Sequence, residues 1–220
     1  SADEATANRA AEAAFARVAE LNKKLSDYDP QSELSLLSAT SGSGRAVKLS
    51  DDLWFVLERA QQLAQATDGA FDVTVGPLTK MWRSARRSKQ FPSDERMSEA
   101  RAAVGYRHLR LDTQERTAEL MVPNMRLDLG GIAKGYAVDH AAEAFRLFPS
   151  VSGVINGGGD IRFVGGMEFP LHIRSPQMDG RVYDVGRFSD CAVATSVFER
   201  DGQPVSVSVV APTCSVADRL

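Results

Sequence analysis

The first stretch with a clear period is helical. Phe15, Val18, Leu21 and Leu25 recur at three- and four-residue steps among alanines and charged residues, and Ser26-Asp-Tyr-Asp-Pro30 stops the pattern. A loop follows at Ser38-Ala-Thr-Ser-Gly-Ser-Gly44. Ser50 then predicts the start of a second helix, with Asp51 and Asp52 at its positive end. Leu53, Leu57, Ala60, Leu63 and Ala64 form its buried stripe, and Gly69 is its left-handed cap. A third, shorter helix is expected from Ser93 through Met97, Ala100 and Val104 to Gly105. From His108 the period shortens to two. His108 to Asp112 and Thr117 to Val122 read as a hairpin, and Met125 to Leu129 as a further strand. A helix carrying Tyr136, Val138, Ala141, Ala142 and Phe145 follows and ends at Pro149. Beyond it lie short apolar runs: Ser152 to Ile155, Ile161 to Val164, Leu171 to Arg174, Ala192 to Val197 and Val205 to Ala211.

Helices therefore dominate the first half and strands the second. The class predicted is α+β, a single domain over residues 1–220 with an antiparallel or mixed sheet core mainly in the second half. Hydrophobic residues make up 43 % and charged residues 25 % of the 220, an ordinary balance for a chain that buries a core. The formal net charge of -3 argues against nucleic-acid binding by bulk electrostatics. One local exception is the basic run Arg83-Ser-Ala-Arg-Arg-Ser-Lys89, read as a solvated loop, with a contact for phosphates or an acidic partner as the sharper alternative. Cys191 and Cys214 fit neither a zinc pattern nor a disulfide framework, and each sits in an apolar run as a small buried side chain. No run of about 18 apolar residues is present, so no membrane-spanning helix is expected. Ser1-Ala-Asp-Glu-Ala shows no signal pattern and reads as a mature or trimmed start.

The strongest chemical signal is Asp128-Leu-Gly-Gly-Ile-Ala-Lys-Gly-Tyr136, which joins a strand to a helix. Glycine lets backbone approach a ligand closely, and a helix start offers unpaired N–H groups and a positive dipole end. Lys134 adds a mobile cation suited to phosphate. The spacing is neither the dinucleotide-binding fingerprint nor the Walker pattern, so a different phosphate-bearing nucleotide site is expected. Asn156-Gly-Gly-Gly-Asp160 holds more glycine than a hairpin needs. It implies backbone lying against a ligand or a crowded loop, with Asp160 free for a hydrogen bond. Phe71, beside the turn at Gly69, could cover a flat ring or belong to the core, and Asp72 could accept bonds from a base or sugar. Asp218, beyond the last strand, could hold a hard cation, since Mg²⁺ beside phosphates often needs one or two protein carboxylates. His108, His140 and His172 show no ligand spacing.

Taken in order, these segments resemble the FAD:protein FMN transferase (ApbE) family. The matching stretches are Leu25 to Leu34, Thr67 to Thr74, Asp128 to Tyr136 with Asp139, Asn156 to Ile161, Ala194-Thr-Ser196, and Val209 to Pro212 with Ala217-Asp218, covering almost the whole chain. The resemblance implies a flavin-binding α+β fold. It also implies Mg²⁺-dependent cleavage of FAD at its pyrophosphate, passing FMN to a Thr or Ser hydroxyl of a target protein and releasing AMP. By position it assigns Tyr28, Ala70, Phe71, Asp72, Asp128 and Lys134 to FAD. The metal falls to the carbonyl of Gly131 and the carboxylate of Asp218. Many relatives are exported lipoproteins, so a periplasmic or cell-envelope location, lipid-anchored through a preceding segment, is the expectation carried over.

Three departures from the family pattern stand out. The chain begins after the first strand of its relatives, with its Met-Gly-Thr-like motif. It runs Val197-Phe-Glu-Arg-Asp-Gly-Gln-Pro204 where they carry a histidine-bearing loop, and it ends at Asp218-Arg-Leu220 before a second metal ligand. Residues absent from the sequence as given are the expected cause. The alternatives are a protein that binds FAD without transferring it, or an FAD pyrophosphatase in which water replaces the acceptor hydroxyl.

Overall fold

A computed structural model describes residues 3–177 and 179–217. In chain order the elements begin with α1 (Glu4–Leu25), α2 (Glu33–Ser38), β1 (Val47–Lys48), α3 (Asp51–Ala66), α4 (Gly76–Ser88) and α5 (Asp94–Ala102). A short 3-10 turn, Tyr106–His108, leads to β2 (Leu109–Asp112), β3 (Thr117–Leu120) and α6 (Ala133–Arg146). Then come β4 (Gly153–Asn156), β5 (Ile161–Val164), β6 (Phe169–Arg174), β7 (Val182–Phe188), β8 (Ala192–Arg200), β9 (Gln203–Ala211) and α7 (Cys214–Ala217). The α+β class holds. The described residues fall into two compact units: Glu20–Ala133, and the segments on either side of it.

In the Glu20–Ala133 unit, local chemistry sets the helix ends. The Ser50 hydroxyl accepts the Leu53 N–H and caps α3, whose Leu53, Trp54, Val56, Leu57, Ala60 and Ala64 are buried. Gly69, at φ +82°, closes the turn after α3 as expected. The predicted hairpin forms with Leu109 opposite Leu120 and Asp112 opposite Thr117, and β1 adds to the free side of β3. Two helices, α2 and α4, were not legible in the apolar pattern. The basic run Arg83–Lys89 is therefore not a loop: Arg83 to Ser88 form the last two turns of α4, and Lys89 caps it in the left-handed region at φ +55°. The strand expected at Met125–Leu129 builds no ladder. Only an isolated parallel bridge joins Val75 to Arg126, because hydroxyls take the neighbouring N–H groups: Ser41 Oγ accepts from Met125 and Ser38 Oγ from Leu127.

The other unit is layered. Its four-stranded antiparallel sheet runs β4-β5-β8-β9, and β6 with β7 makes a separate two-stranded ribbon. Alternation along β5 divides its side chains between two packing layers. Phe163 joins Leu171 and Val193 beneath the ribbon, whereas Val164 packs with Ala10, Ala14, Ala141, Ala142 and Phe145 of the helices. The expected stripe of α1 is corrected at this point. Leu21 and Leu25 are buried, but Ala10 and Ala14 take the core positions of its first half, while Phe15 stays 75 % exposed. Phe15 and Val18 instead line an open apolar groove of about 400 Å³ with Ala137, Ala141, Val154 and Ile155. Cys214 is fully buried as expected, whereas Cys191 is only half-buried, and that burial pushes its thiol pKa up. Residues 198–204 form the tip of an unbroken β8–β9 hairpin, paired out to Arg200 opposite Gln203. Asp201 and Gly202 turn the chain with positive φ at both positions, the geometry of a primed two-residue turn. Among the described residues no helix is long and apolar enough to cross a membrane.

Candidate functional site

The glycine segment begins on a carboxylate that the chain uses completely. Asp128 is 8 % exposed. One of its oxygens accepts the Gly130 N–H at 2.9 Å, and the other accepts the Thr79 hydroxyl at 2.7 Å and Arg83 Nη2 at 2.8 Å. Thr79 and Arg83 are four residues apart, so one face of α4 presents both donors. The second arm of the Arg83 fork reaches Asp27 at 2.5 Å, and the guanidinium carbon lies 4.5 Å from the centre of the Tyr28 ring. Burial alone would lower the Arg83 pKa. The hydrogen bond and charge of Asp27, with the Asp128 charge behind them, outweigh that and hold it above its ordinary value. Tyr28 itself is 75 % exposed, a flat ring backed by a cation and open on its other face.

The turn after α3 reaches the same segment from another side. The Thr67 hydroxyl accepts the Phe71 N–H, and Asp72 Oδ1 accepts both the N–H and the hydroxyl of Thr74 at 2.8 and 2.7 Å. Thr74 Oγ in turn accepts the Gly105 N–H. The Asp128 N–H donates to the Val73 carbonyl at 2.8 Å, which locks this turn against the glycine segment. There the half-buried Phe71 ring lies on Gly131: a Cβ built at that glycine would stand 3.1 Å from Phe71 Cε2. Gly131 is itself exposed, and Ala70 is exposed beside Phe71.

The structure thus gathers Tyr28, Phe71, Asp72, Asp128 and Gly131 within the Glu20–Ala133 unit, with Ala70 adjoining them in the chain. Sequence reasoning missed Arg83, Thr79 and Asp27, which hold that set together. The signal for them was thin: an Arg four residues after a Thr, inside a basic run already assigned to solvent.

The remaining assigned residues belong to the other unit. Lys134, in the first turn of α6, has its ammonium 3.3 Å from Asp160 Oδ2. The glycine loop before Asp160 is held by the Asn156 side chain, whose oxygen accepts the N–H groups of Gly158 and Gly159. Asp139 Oδ1 accepts the Cys214 N–H, and its Oδ2 accepts the N–H and hydroxyl of Ser215. These bonds fasten the start of α7, from which the chain continues to Asp218, a position outside the described residues.

Two fits decide what such a site can hold. An exposed aromatic ring over a guanidinium and a second ring on exposed glycine backbone suit a flat heteroaromatic group. No group of three His, Cys, Asp or Glu that could cage a metal exists among the described residues. A Mg²⁺ ion held mainly through phosphates and waters needs no such cage, and Gly131 offers exposed backbone of the kind that can join it.

Comparison with known proteins places the chain in a family. Residues 2–220 match the sequence profile of the ApbE family. The FAD:protein FMN transferase of Haemophilus influenzae is 31 % identical over 98 % of this chain and 72 % of its own length. That of Vibrio cholerae is also 31 % identical, over 91 % of this chain and 68 % of its own. Among solved structures, the ApbE protein of Thermotoga maritima superposes with a TM-score of 0.80 at 26 % identity, over 96 % of this chain and 76 % of that one. Profile, relatives and fold converge on one conclusion: the chain belongs to the ApbE family.

Proposed function

We propose that the protein is a Mg²⁺-dependent transferase that moves FMN from FAD to a Thr or Ser hydroxyl of a target protein and releases AMP. The observation that carries this reading is the cluster of the exposed Tyr28 ring, the half-buried Phe71 ring and the Gly131 backbone, organised by Asp128 in a chain matched by the family over residues 2–220. In this reading Tyr28, Ala70, Phe71 and Asp72 line FAD. Asp128 contributes by fixing Arg83 and the glycine turn, since its own oxygens are taken. Lys134 neutralises phosphate charge, and Gly131 and Asp218 supply metal ligands. A bound Mg²⁺ would offset the negative charge that builds on the phosphate oxygens as the pyrophosphate breaks. The resemblance also carries a cell-envelope location, tested by fractionating cells that express the complete gene product.

The test is incubation with FAD, Mg²⁺ and a target domain bearing an acceptor Thr, read by flavin fluorescence on the denatured target and by AMP release. Covalent flavin that disappears with a chelator or with a Thr→Val target supports the reading. Free FMN with AMP and no labelled target would show a pyrophosphatase, and FAD bound without AMP would show a carrier. Asp218→Ala is expected to cut metal-dependent turnover by about 100-fold or more while leaving FAD affinity within about 3-fold. Unchanged turnover would remove Asp218 from the site.

A further inference from the structure

Among the described carboxylates of its unit, Asp160 has a buried oxygen left without a hydrogen-bond partner. The residue is 4 % exposed, and the enclosed atom is its Oδ2. A buried acceptor left unbonded is costly enough to require a reason. The group it faces is the Lys134 ammonium at 3.3 Å, close enough for charge attraction but misaligned for a bond.

The surrounding chain is built to deliver that carboxylate. Asn156 ties down the N–H groups of Gly158 and Gly159, and the Gly157 N–H donates to the Asp160 carbonyl at 2.8 Å. Gly157 rests directly on α6, because a Cβ there would stand 2.4 Å from Val138 Cγ2. Val138 is buried and β-branched, so it cannot swing away cheaply. The run of glycines therefore presses the loop onto the helix that carries Lys134.

Lys134 needs such a partner. Its side chain is 56 % exposed on a flexible four-carbon stem, and it sits at the positive end of a 14-residue helix, where a cation is disfavoured. Asp160 answers both problems, by opposing the end charge and by limiting where the ammonium goes. We propose that Asp160 is a positioning residue for Lys134: it holds the ammonium at the start of α6, ready for a phosphate of the nucleotide. The inference rests on the role given above to Lys134 and adds the device that makes that role effective.

A double-mutant cycle on the full chain tests it, with FAD as the probe and its affinity measured by titration of flavin fluorescence without metal turnover. Lys134→Ala should weaken FAD by about 10-fold, the loss of one charge-assisted phosphate contact. Asp160→Asn should weaken it by about 3- to 10-fold through the lysine, and the double variant should match Lys134→Ala alone. Losses that multiply in the double variant, or wild-type affinity in Asp160→Asn, would overturn the assignment. Wild-type affinity in Lys134→Ala would overturn the phosphate role of Lys134 and the inference with it. Circular dichroism monitors folding, and Asp160→Ser replaces Asp160→Asn if the amide variant does not fold.

Discussion

Arg83→Ala is expected to lower the unfolding free energy by about 3 kcal/mol, because it leaves two buried carboxylates without their shared counter-charge. Asp27 and Asp128 are each 8 % exposed, and Arg83 bridges them at 2.5 and 2.8 Å. Two features keep the loss at the lower end of the range for broken buried pairs. Arg83 keeps 35 % of its side chain in solvent, and Asp128 retains donors from Thr79 and Gly130. The fork geometry matters, so Arg83→Lys should recover only part of the loss: an ammonium can neutralise one carboxylate well but cannot span both in a plane. Adding Asp27→Asn to Arg83→Ala should recover part of the lost stability, since it removes one of the two stranded charges. Urea unfolding followed by Trp fluorescence reports all three variants. A loss below about 0.5 kcal/mol for Arg83→Ala would mean that the triad behaves as an ordinary surface pair. FAD affinity should fall with the same substitution, because the guanidinium also backs the Tyr28 ring at 4.5 Å.

That triad marks the boundary of what the sequence discloses. Features set by neighbours along the chain were legible. The Ser50 cap and Gly69 stop define α3, and the alternation from Leu109 to Leu120 defines a hairpin, because each depends on interactions a few residues long. The glycine segment stood out in the sequence for the same reason, since its composition is itself the signal. What was hidden is held from far away. Helix α4 opens with Gly76-Pro77, which reads as a turn, and its anchor Arg83 answers carboxylates 56 and 45 residues distant. Strand β7 carries exposed Val182, Tyr183 and Val185, so no buried face announces it, and only its ladder with β6 defines it. Phe15 misled in the opposite direction: it is large and correctly spaced, yet Ala10 and Ala14 are the α1 residues that pack with Ala141, Ala142 and Phe145 in the core.

Asp139 extends the same logic to the end of the chain that carries the assigned metal ligand. Its carboxylate accepts three donors from Cys214 and Ser215 and lies 3.7 Å from Arg162 Nε, the only ion pair that Arg162 makes among the described residues. Arg162 is 4 % exposed, its Nε has no hydrogen-bond partner, and it donates through Nη1 to the Pro212 carbonyl. Asp139→Ala should therefore strand a buried guanidinium and release the start of α7 together, at a cost of about 3 kcal/mol. Asp139→Asn should cost less, since the amide oxygen still accepts one N–H while its NH₂ faces a second donor. The functional consequence separates this residue from a purely structural one. Ser215 precedes Asp218 by three positions, so loosening the segment should raise the Mg²⁺ concentration needed for half-maximal AMP release in both variants. FAD affinity should stay near wild type, because its assigned ring contacts belong to Tyr28 and Phe71. Measuring Mg²⁺ dependence and FAD affinity side by side, below the unfolding transition, decides the matter. Stability within about 0.5 kcal/mol of wild type for Asp139→Ala would refute the buried pair. A normal Mg²⁺ requirement in a destabilised variant would detach Asp139 from the metal while leaving its part in the fold intact.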